Sequence, residues 1–137
     1  MEPIEDRAVL ITGATDGLGR ATAHELASRG ASVLVHGRSR ERGEETVAEL
    51  RAAAGDERAH LHLADLSWLA EVRRLAAEVE AAHERLDVLV NNAGMIAGER
   101  ELSDDGHELT FAVNYLSHFL LTTSGELGAP CPQASRR

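Results

Sequence analysis

Three glycines near the start of the chain have the spacing of a turn that binds a diphosphate. Gly13, Gly17 and Gly19 lie within segment 12–19, directly after a short apolar run and at the start of an alanine-rich segment. A strand that enters a helix through such a turn lets the backbone approach a pyrophosphate closely, and the helix N-terminus adds free N–H groups. The spacing therefore predicts dinucleotide binding, and the alternative is a tight turn without a ligand.

Short apolar runs alternate with helix-forming segments around this turn. The runs predict strands over residues 8–11, 32–35, 59–63 and 88–90. The segments between them predict helices over about 17–29, from a cap at Ser39 to 53, and from Trp68 to 79. Parallel neighbours need a crossover helix, so this alternation predicts an open α/β parallel sheet.

A last helix is predicted to open with Asp105 and Glu108. It carries Phe111, Tyr115 and Phe119 at intervals of four residues, which places the three rings on one face. A stripe of this kind is usually core or a subunit interface, so we expect a homo-oligomer or pairing with a full-length relative.

Composition excludes several classes of protein. The chain has 137 residues, enough for one domain, and a net charge of −9, which argues against a nucleic-acid binder. A single cysteine, Cys131, and the lack of a leader or long apolar segment predict a cytoplasmic protein without a membrane segment. Seven histidines, with His60 and His62 on one strand face, raise metal binding as an alternative. Because these histidines are scattered and form no motif with cysteine or paired carboxylates, we predict no metal site.

Four motifs in order resemble the short-chain dehydrogenase/reductase family. They are the glycine turn, Asp65-Leu66 after the third strand, Asn91-Asn92-Ala93-Gly94 after the fourth, and Asn114 within Phe-Ala-Val-Asn-Tyr-Leu-Ser-His. The resemblance covers residues from about 7 to 122, and the stretch after Val113 is most similar to the retinol-dehydrogenase-like branch. It implies a Rossmann-type three-layer sheet of order 3-2-1-4 that stops before the fifth strand.

The resemblance also implies a set of site residues. Those expected to contact the cofactor are Gly13, Thr15, Asp16, Gly17, Leu18, Gly19, Arg38, Ser39, Asp65, Leu66, Asn92, Ala93 and Gly94. Asn114 matches the asparagine that holds a water of the proton relay, and is the catalytic assignment. The alternatives are a helix cap at Asp65, a turn at Asn91 and Asn92, and a polar helix-face residue at Asn114.

Cofactor choice depends on the residues at the end of the second strand, about 20 residues past the glycines. No carboxylate occurs there before Glu41, whereas Arg38 can pair with a 2′-phosphate and Ser39 can add a hydroxyl. NADP(H) is therefore predicted over NAD(H). Against this, Asp16 is acidic where many NADP-preferring relatives carry a base, and Arg38 and Arg40 could simply begin a solvated helix.

The family's reaction, hydride transfer between nicotinamide and a carbonyl or alcohol, uses a Tyr-x-x-x-Lys pair. All 14 basic residues here are arginine. The only tyrosine is Tyr115, and the position four residues later, where the pair would need lysine, is Phe119. We therefore expect a truncated or frame-shifted chain, with residues 1–122 as an NADP-binding half-domain and 123–137 as an irregular or disordered tail. The alternatives are a non-catalytic dinucleotide-binding or regulatory half-domain and a nonfunctional fragment.

Overall fold

The structure is a computed structural model that describes residues 3–124, apart from the side chain of Asp56. Its strands are β1 (Ala8–Ile11), β2 (Ser32–Gly37), β3 (Ala59–Leu63) and β4 (Val88–Val90). Its longer helices are α1 (Gly17–Ser28), α2 (Arg40–Ala54) and α3 (Leu69–Ala82), with a 3₁₀ turn at Asp56–Arg58. The last helix runs without a break through α4 (Leu109–Phe111), a π-helical turn (Ala112–Leu116) and α5 (Ser117–Thr123).

The four strands form one parallel sheet of order β3-β2-β1-β4. This confirms the predicted α/β architecture and strand order. β1 is central, with Leu10 opposite Leu34 of β2 and Leu89 of β4. The carboxyl ends of β1, β2 and β4 therefore lie side by side at one edge of the sheet.

Both faces of the sheet are covered, which explains why the strands are continuously apolar. Side chains alternate between faces along a strand, so Val9 and Ile11 pack in the core beneath α1 and α2. Leu10 points the other way, into the core that includes Leu75 of α3 and Leu121 of the last helix. The result is the three-layer arrangement that the resemblance implied.

The carboxylates predicted to open the last helix have separate roles. Glu108 is its N-cap and accepts hydrogen bonds from the backbone N–H groups of Thr110 and Phe111. Asp105 instead accepts from the N–H of Leu69 at 2.8 Å and caps α3. The prediction that Asp105 opens the last helix is therefore wrong, because its partner comes from a helix 36 positions earlier in the chain.

The aromatic residues of the last helix are exposed. Phe111, Tyr115 and Phe119 are 48%, 58% and 60% accessible, and the first two rings stack with centroids 5.2 Å apart. Within residues 3–124 this stripe is not core, so that part of the expectation is wrong. The subunit interface stays a prediction.

The last helix extends beyond the predicted end of the nucleotide-binding half-domain. The helix continues to Thr123 and Ser124 is its C-cap, so the described chain enters the segment predicted to be an irregular tail by two residues. Residues 125–137 of that segment lie outside the described residues. Among residues 3–124, no helix has the length and apolar character needed to cross a membrane.

Candidate functional site

The glycine turn lies at the carboxyl end of the central strand β1, where it opens α1. Gly13 and Gly17 adopt the left-handed backbone region, with φ of 64° and 50°. A Cβ on Gly13 would lie 2.9 Å from the Cα of Ala93, so only glycine fits against the segment that follows β4. The turn is therefore packed on one side by residues 92–94.

A buried threonine ties these two segments together. The Thr12 hydroxyl accepts hydrogen bonds from the backbone N–H groups of Asn92 and Ala93, both at 3.0 Å. The same hydroxyl lies 3.0 Å from Nε2 of His118, whose Nδ1 faces the Asn114 carbonyl at 3.2 Å. An N–H at Nδ1 leaves Nε2 as an acceptor, so the Thr12 hydroxyl can donate to His118, and the Val90 carbonyl lies 3.4 Å away as a second acceptor.

Asn92 supports the turn from its other side. Its side-chain amide donates to the carbonyls of Thr12 and Gly13 at 3.0 and 3.2 Å. A Cβ on Gly19 would collide with the Gly13 carbonyl oxygen and with this amide. Gly19 and Asn92 are thus packing partners that hold the turn in shape.

Gly17 differs from the other two glycines because nothing lies within 4 Å of the position its Cβ would take. Gly17 and the exposed Leu18 line a cavity of about 370 Å³ at the crevice between β1, β2 and β4. The other lining residues are Gly13, Thr15, Asp16, His36, Gly37, Arg38, Arg42, Asn92, Ala93 and Gly94. The free space sits at the N-terminus of α1, where a phosphate is favoured.

The charged residues of this cavity come from the turn and from the start of α2. Asp16 caps α1 by accepting from the N–H of Gly17 at 2.7 Å, and its other oxygen accepts from Arg42 at 3.0 Å. Arg38 is exposed and makes no hydrogen bond or ion pair with the described residues. Ser39 does not line the cavity; its hydroxyl caps α2 by accepting from the N–H of Arg42 at 3.3 Å.

His36, at the end of β2, joins the glycine turn to the loop after β3. Its Nδ1 accepts from the N–H of Gly13 at 3.1 Å, and its Nε2 donates to the carbonyl of Ala64 at 3.0 Å. Burial lowers the pKa of His36 to about 4, so the ring is neutral near pH 7. Thr15 packs beside it on Gly37, where a Cβ would lie 2.6 Å from the Thr15 methyl group.

A second cavity of about 220 Å³ adjoins the first and shares His36, Arg38 and Gly94 with it. Asp65, the buried Leu66 and Ser67 form one wall, and Met95, Leu109 and Val113 complete the lining. Asp65 uses one carboxylate oxygen to accept from the N–H and hydroxyl of Ser67, at 2.9 and 2.7 Å. An apolar slot with a carboxylate at its rim suits an aromatic base that carries an amino group.

Asn114 lies in the π-helical turn, and its exposed side chain makes two hydrogen bonds to the protein. Its amide oxygen accepts from the N–H of Met95 and its amide nitrogen donates to the Met95 carbonyl, both at 2.8 Å. Single π-helical turns are frequent at functional sites. In this structure the Asn114 side chain holds the segment after β4 in place, and the water-holding role stays a prediction.

The histidines on β3 form a cluster away from this crevice. His62 is buried, with Nδ1 2.7 Å from a Glu78 oxygen and Nε2 2.9 Å from His83, and the His60 ring contacts His83. Burial, followed by the nearby His62 and His60, lowers the pKa of His83 to about 4. No group of three or more His, Cys, Asp or Glu residues within the described part of the chain is placed to hold a metal ion.

Two larger cavities lie outside the crevice. One, of about 600 Å³, contains Arg40, Glu44 and Arg74 and borders the edge strand β3; the other, of about 740 Å³, contains His60 and His83. Neither includes a residue of the glycine turn or of the segment after β4. Size alone therefore does not identify the site, and the crevice is distinguished by its glycine turn and by the N-terminus of α1 that opens into it.

The structure brings the predicted cofactor residues together at one edge of the sheet. Ser39 and Gly19 do not line the cavity, whereas Asn92 lines it and also holds the turn through its amide. His36, Arg42 and Met95 also line the crevice and were missed by sequence reasoning. The local signal that could have identified Arg42 is its position three residues after the cap Ser39, in the first turn of the helix that begins beside the glycine turn.

Comparison with known proteins agrees with this architecture. The family model described as short chain dehydrogenase matches residues 7–125. Polyprenol dehydrogenase from Mus musculus is 44% identical over 122 residues, covering 89% of this chain and 36% of that protein. Retinol dehydrogenase 13 from Homo sapiens is 37% identical over 119 residues, covering 87% of this chain and 36% of that protein. The chain thus spans about a third of the length of these curated relatives.

Solved structures also match. A blue fluorescent protein from a metagenomic library, in complex with NADPH, has a TM-score of 0.78 and 27% identity, over 94% of this chain and 53% of that one. A metagenomic short-chain oxidoreductase in complex with NADP has a TM-score of 0.75 and 35% identity, over 87% of this chain and 55% of that one. These matches confirm the resemblance on which the expected fold rested.

Proposed function

Because the chain belongs to the short chain dehydrogenase family, we propose that residues 3–124 form the NADP(H)-binding part of an oxidoreductase acting on a carbonyl or alcohol substrate. The observation that carries this proposal is the crevice beside Gly17, which has open space at a helix N-terminus and two arginines on its wall. The solved relatives bound to NADPH and NADP support the same cofactor.

The residues present fit a dinucleotide along the two adjoining cavities. The backbone of the glycine turn would bind the pyrophosphate, since Gly17 has no side chain to fill the space in front of α1. Asp65 and Leu66 would bind the adenine in the smaller cavity, and Arg38 would bind the 2′-phosphate of the ribose. When bound, the nicotinamide supplies or accepts the hydride.

The chain's own residues orient the cofactor and set the shape of its site. Thr12 and Asn92 fix the turn against residues 92–94, so the N–H groups at the start of α1 are held before the cofactor arrives. Asn114 holds Met95 at the wall of the adenine cavity. The sequence contains no lysine, so a Tyr-x-x-x-Lys pair is not among these 137 residues, and their contribution is cofactor binding.

Calorimetric titration of the chain with NADPH and with NADH tests this proposal. We expect NADPH to bind more tightly, and we expect Arg38→Gln to weaken NADPH by about tenfold or more while changing NADH little, because the lost contact is a charge-assisted one to the 2′-phosphate. A chain that binds neither cofactor would overturn the proposal. A parallel reductase assay on carbonyl compounds separates turnover from binding alone.

We also propose that the exposed aromatic face of the last helix joins two or more copies of the chain. A homo-oligomer through the exposed stripe of Phe111, Tyr115 and Phe119 would be detected by light scattering as a mass above that of the single chain. Substitution of Phe119 by Ser should then return the mass to that of one chain. The cytoplasmic location stays a prediction.

A further inference from the structure

One histidine of the last helix contacts the carboxyl end of the central strand. His118 belongs to α5, and its Nε2 lies 3.0 Å from the hydroxyl of Thr12, 106 positions earlier in the chain. Its Nδ1 lies 3.2 Å from the carbonyl oxygen of Asn114 in the π-helical turn. The residue is only 9% exposed, so both ring nitrogens depend on protein partners. The ring therefore joins the last helix to the strand that leads into the glycine turn.

The two partners of the ring decide where it carries its proton. A carbonyl oxygen only accepts, so Nδ1 carries the proton and donates it to Asn114. Burial lowers the pKa of His118 below its ordinary value, so the ring is neutral near pH 7 and Nε2 keeps its lone pair. Nε2 is thus a fixed acceptor beside Thr12.

A fixed acceptor decides the direction of the Thr12 hydroxyl. A hydroxyl has one proton and two lone pairs, so the partner of the proton determines where the lone pairs point. Two acceptors are within reach, Nε2 of His118 at 3.0 Å and the Val90 carbonyl at 3.4 Å. With the proton on His118, both lone pairs are left for the N–H groups of Asn92 and Ala93. With the proton on Val90, a lone pair would face the imidazole and the two N–H groups would share the other.

These two N–H groups belong to the segment that shapes the crevice. Residues 92–94 line the cavity of about 370 Å³, and Gly94 also lines the adjoining cavity of about 220 Å³. The segment packs tightly on the glycine turn, since a Cβ on Gly13 would lie 2.9 Å from the Cα of Ala93. A shift of residues 92–94 would therefore change the shape of the turn and of both cavities.

We propose that His118 is a positioning residue for cofactor binding, which directs the Thr12 hydroxyl so that residues 92–94 keep the shape that accepts the dinucleotide. This rests on the proposed function of the crevice as an NADP(H) site. The 2′-phosphate is assigned to Arg38, which follows β2 on another side of the crevice. His118 therefore supports the binding of NADPH and of NADH to the same extent.

Two substitutions separate the hydrogen bond of the ring from its volume. His118→Gln retains an acceptor, because the amide oxygen of glutamine can lie where Nε2 lies, whereas His118→Leu fills similar space without an acceptor. In calorimetric titrations of the full chain, His118→Leu should weaken NADPH and NADH by about threefold to tenfold each, which corresponds to one hydrogen bond. His118→Gln should bind both cofactors within about twofold of the wild type.

Amide hydrogen exchange measures the proposed effect without any cofactor. In His118→Leu, exchange at the N–H groups of Asn92 and Ala93 should accelerate by about tenfold more than exchange at the core N–H of Leu10. His118→Gln should exchange like the wild type at all three positions. Nuclear magnetic resonance of the wild-type ring should also show the tautomer with the proton on Nδ1, and this measurement stands even if His118→Leu does not fold.

His107 provides a matched control, because it is exposed and lines neither cavity of the crevice. His107→Leu and His107→Gln make the same chemical changes and should leave both affinities within about twofold of the wild type. A double variant tests the route of the effect. In a Thr12→Val background, His118→Leu should weaken neither cofactor further, because the hydroxyl that His118 directs is no longer present.

Three results would overturn the inference while leaving the proposed function intact. They are equal losses of affinity in His118→Leu and His118→Gln, unchanged exchange at Asn92 and Ala93 in His118→Leu, and a wild-type ring with its proton on Nε2. If the wild type bound neither cofactor, the proposed function would fail. The exchange and tautomer measurements would still decide whether His118 directs the Thr12 hydroxyl.

Discussion

Acidification should destabilise this protein through His36 before most carboxylates titrate. The ring is 2% exposed, and burial lowers its pKa from 6.5 to about 4. Between those values the unfolded chain binds a proton that the folded chain does not. Stability from this group is therefore complete above pH 6.5 and is lost as the pH falls towards 4.

The size of the effect follows from the two pKa values. A separation of about 2.5 units corresponds to a limit of about 3 kcal/mol, of which about 2 kcal/mol is lost between pH 7 and pH 5. For comparison, the whole unfolding free energy of a domain is about 5 to 15 kcal/mol. The protonated ring would also present an N–H to the N–H of Gly13, so the glycine turn would lose its acceptor.

Urea unfolding at a series of pH values between 7 and 5 measures this loss in the wild type and in His36→Gln. Glutamine retains an acceptor and a donor but does not titrate, so its unfolding free energy should fall by about 2 kcal/mol less over the same interval. His107→Gln is the control, because it removes an exposed histidine and should leave the wild-type slope unchanged. His83, whose pKa is also lowered to about 4, contributes with the same sign to all three proteins.

Equal slopes for the wild type and His36→Gln would refute the reasoning, since the folded ring would then titrate as the unfolded one does. A direct titration of the His36 ring by nuclear magnetic resonance provides a second measurement that does not depend on a variant. A folded-state pKa near 6.5 in that experiment would have the same meaning.

Three further substitutions test the packing of the crevice. Gly19→Ala should lower the unfolding free energy by about 1 to 3 kcal/mol or prevent folding, because its Cβ would meet the Gly13 carbonyl oxygen. Gly98→Ala is the control, since a Cβ there meets open space and should change the unfolding free energy little. Thermal unfolding measures both. Thr12→Val should lower the unfolding free energy by about 2 to 4 kcal/mol in urea, because the N–H groups of Asn92 and Ala93 lose their shared acceptor. Thr22→Val is the control and should lower it by less than about 1 kcal/mol, because the Thr22 hydroxyl donates to the helical carbonyl of Leu18. Asn114→Ala should release the Met95 backbone and weaken NADPH binding. The ratio of the NADPH and NADH affinities, measured by calorimetry, should change little, and a changed ratio would contradict the positioning role of Asn114.

The sheet and its glycine turn were predictable because their signals are local. Runs such as Ala8–Ile11 are apolar throughout because both faces of a parallel strand are buried. The glycines mark a backbone that packs closely on Ala93 at Gly13 and on Asn92 at Gly19, and that leaves open space at Gly17. The order of the strands came from the family resemblance rather than from periodicity. The helix ends were predictable to within a few residues, because caps such as Ser39 act on the adjacent turn.

The roles of polar side chains could not be predicted in the same way. Asp105 has the position of a cap for the last helix but bonds to Leu69 of α3. Asp16 counted against a preference for NADP(H), but it is paired with Arg42. A carboxylate accepts from whichever donor the fold brings near, and the sequence does not contain that distance. His36 is a similar case, since it lies in β2 and its two partners, Gly13 and Ala64, come from two separate loops.

By itself, the sequence determined the parallel sheet, the helix that opens at the glycine turn and the family to which the chain belongs, because these depend on apolar spacing and on backbone conformations that only glycine tolerates. The tertiary structure alone decided the charge and contents of the crevice. Arg42 reaches Asp16 only because α1 and α2 lie side by side, and the neutral state of His36 exists only because the packed loops exclude water from it. Charge and hydrogen bonding act over a few ångströms in space, whatever the distance along the chain.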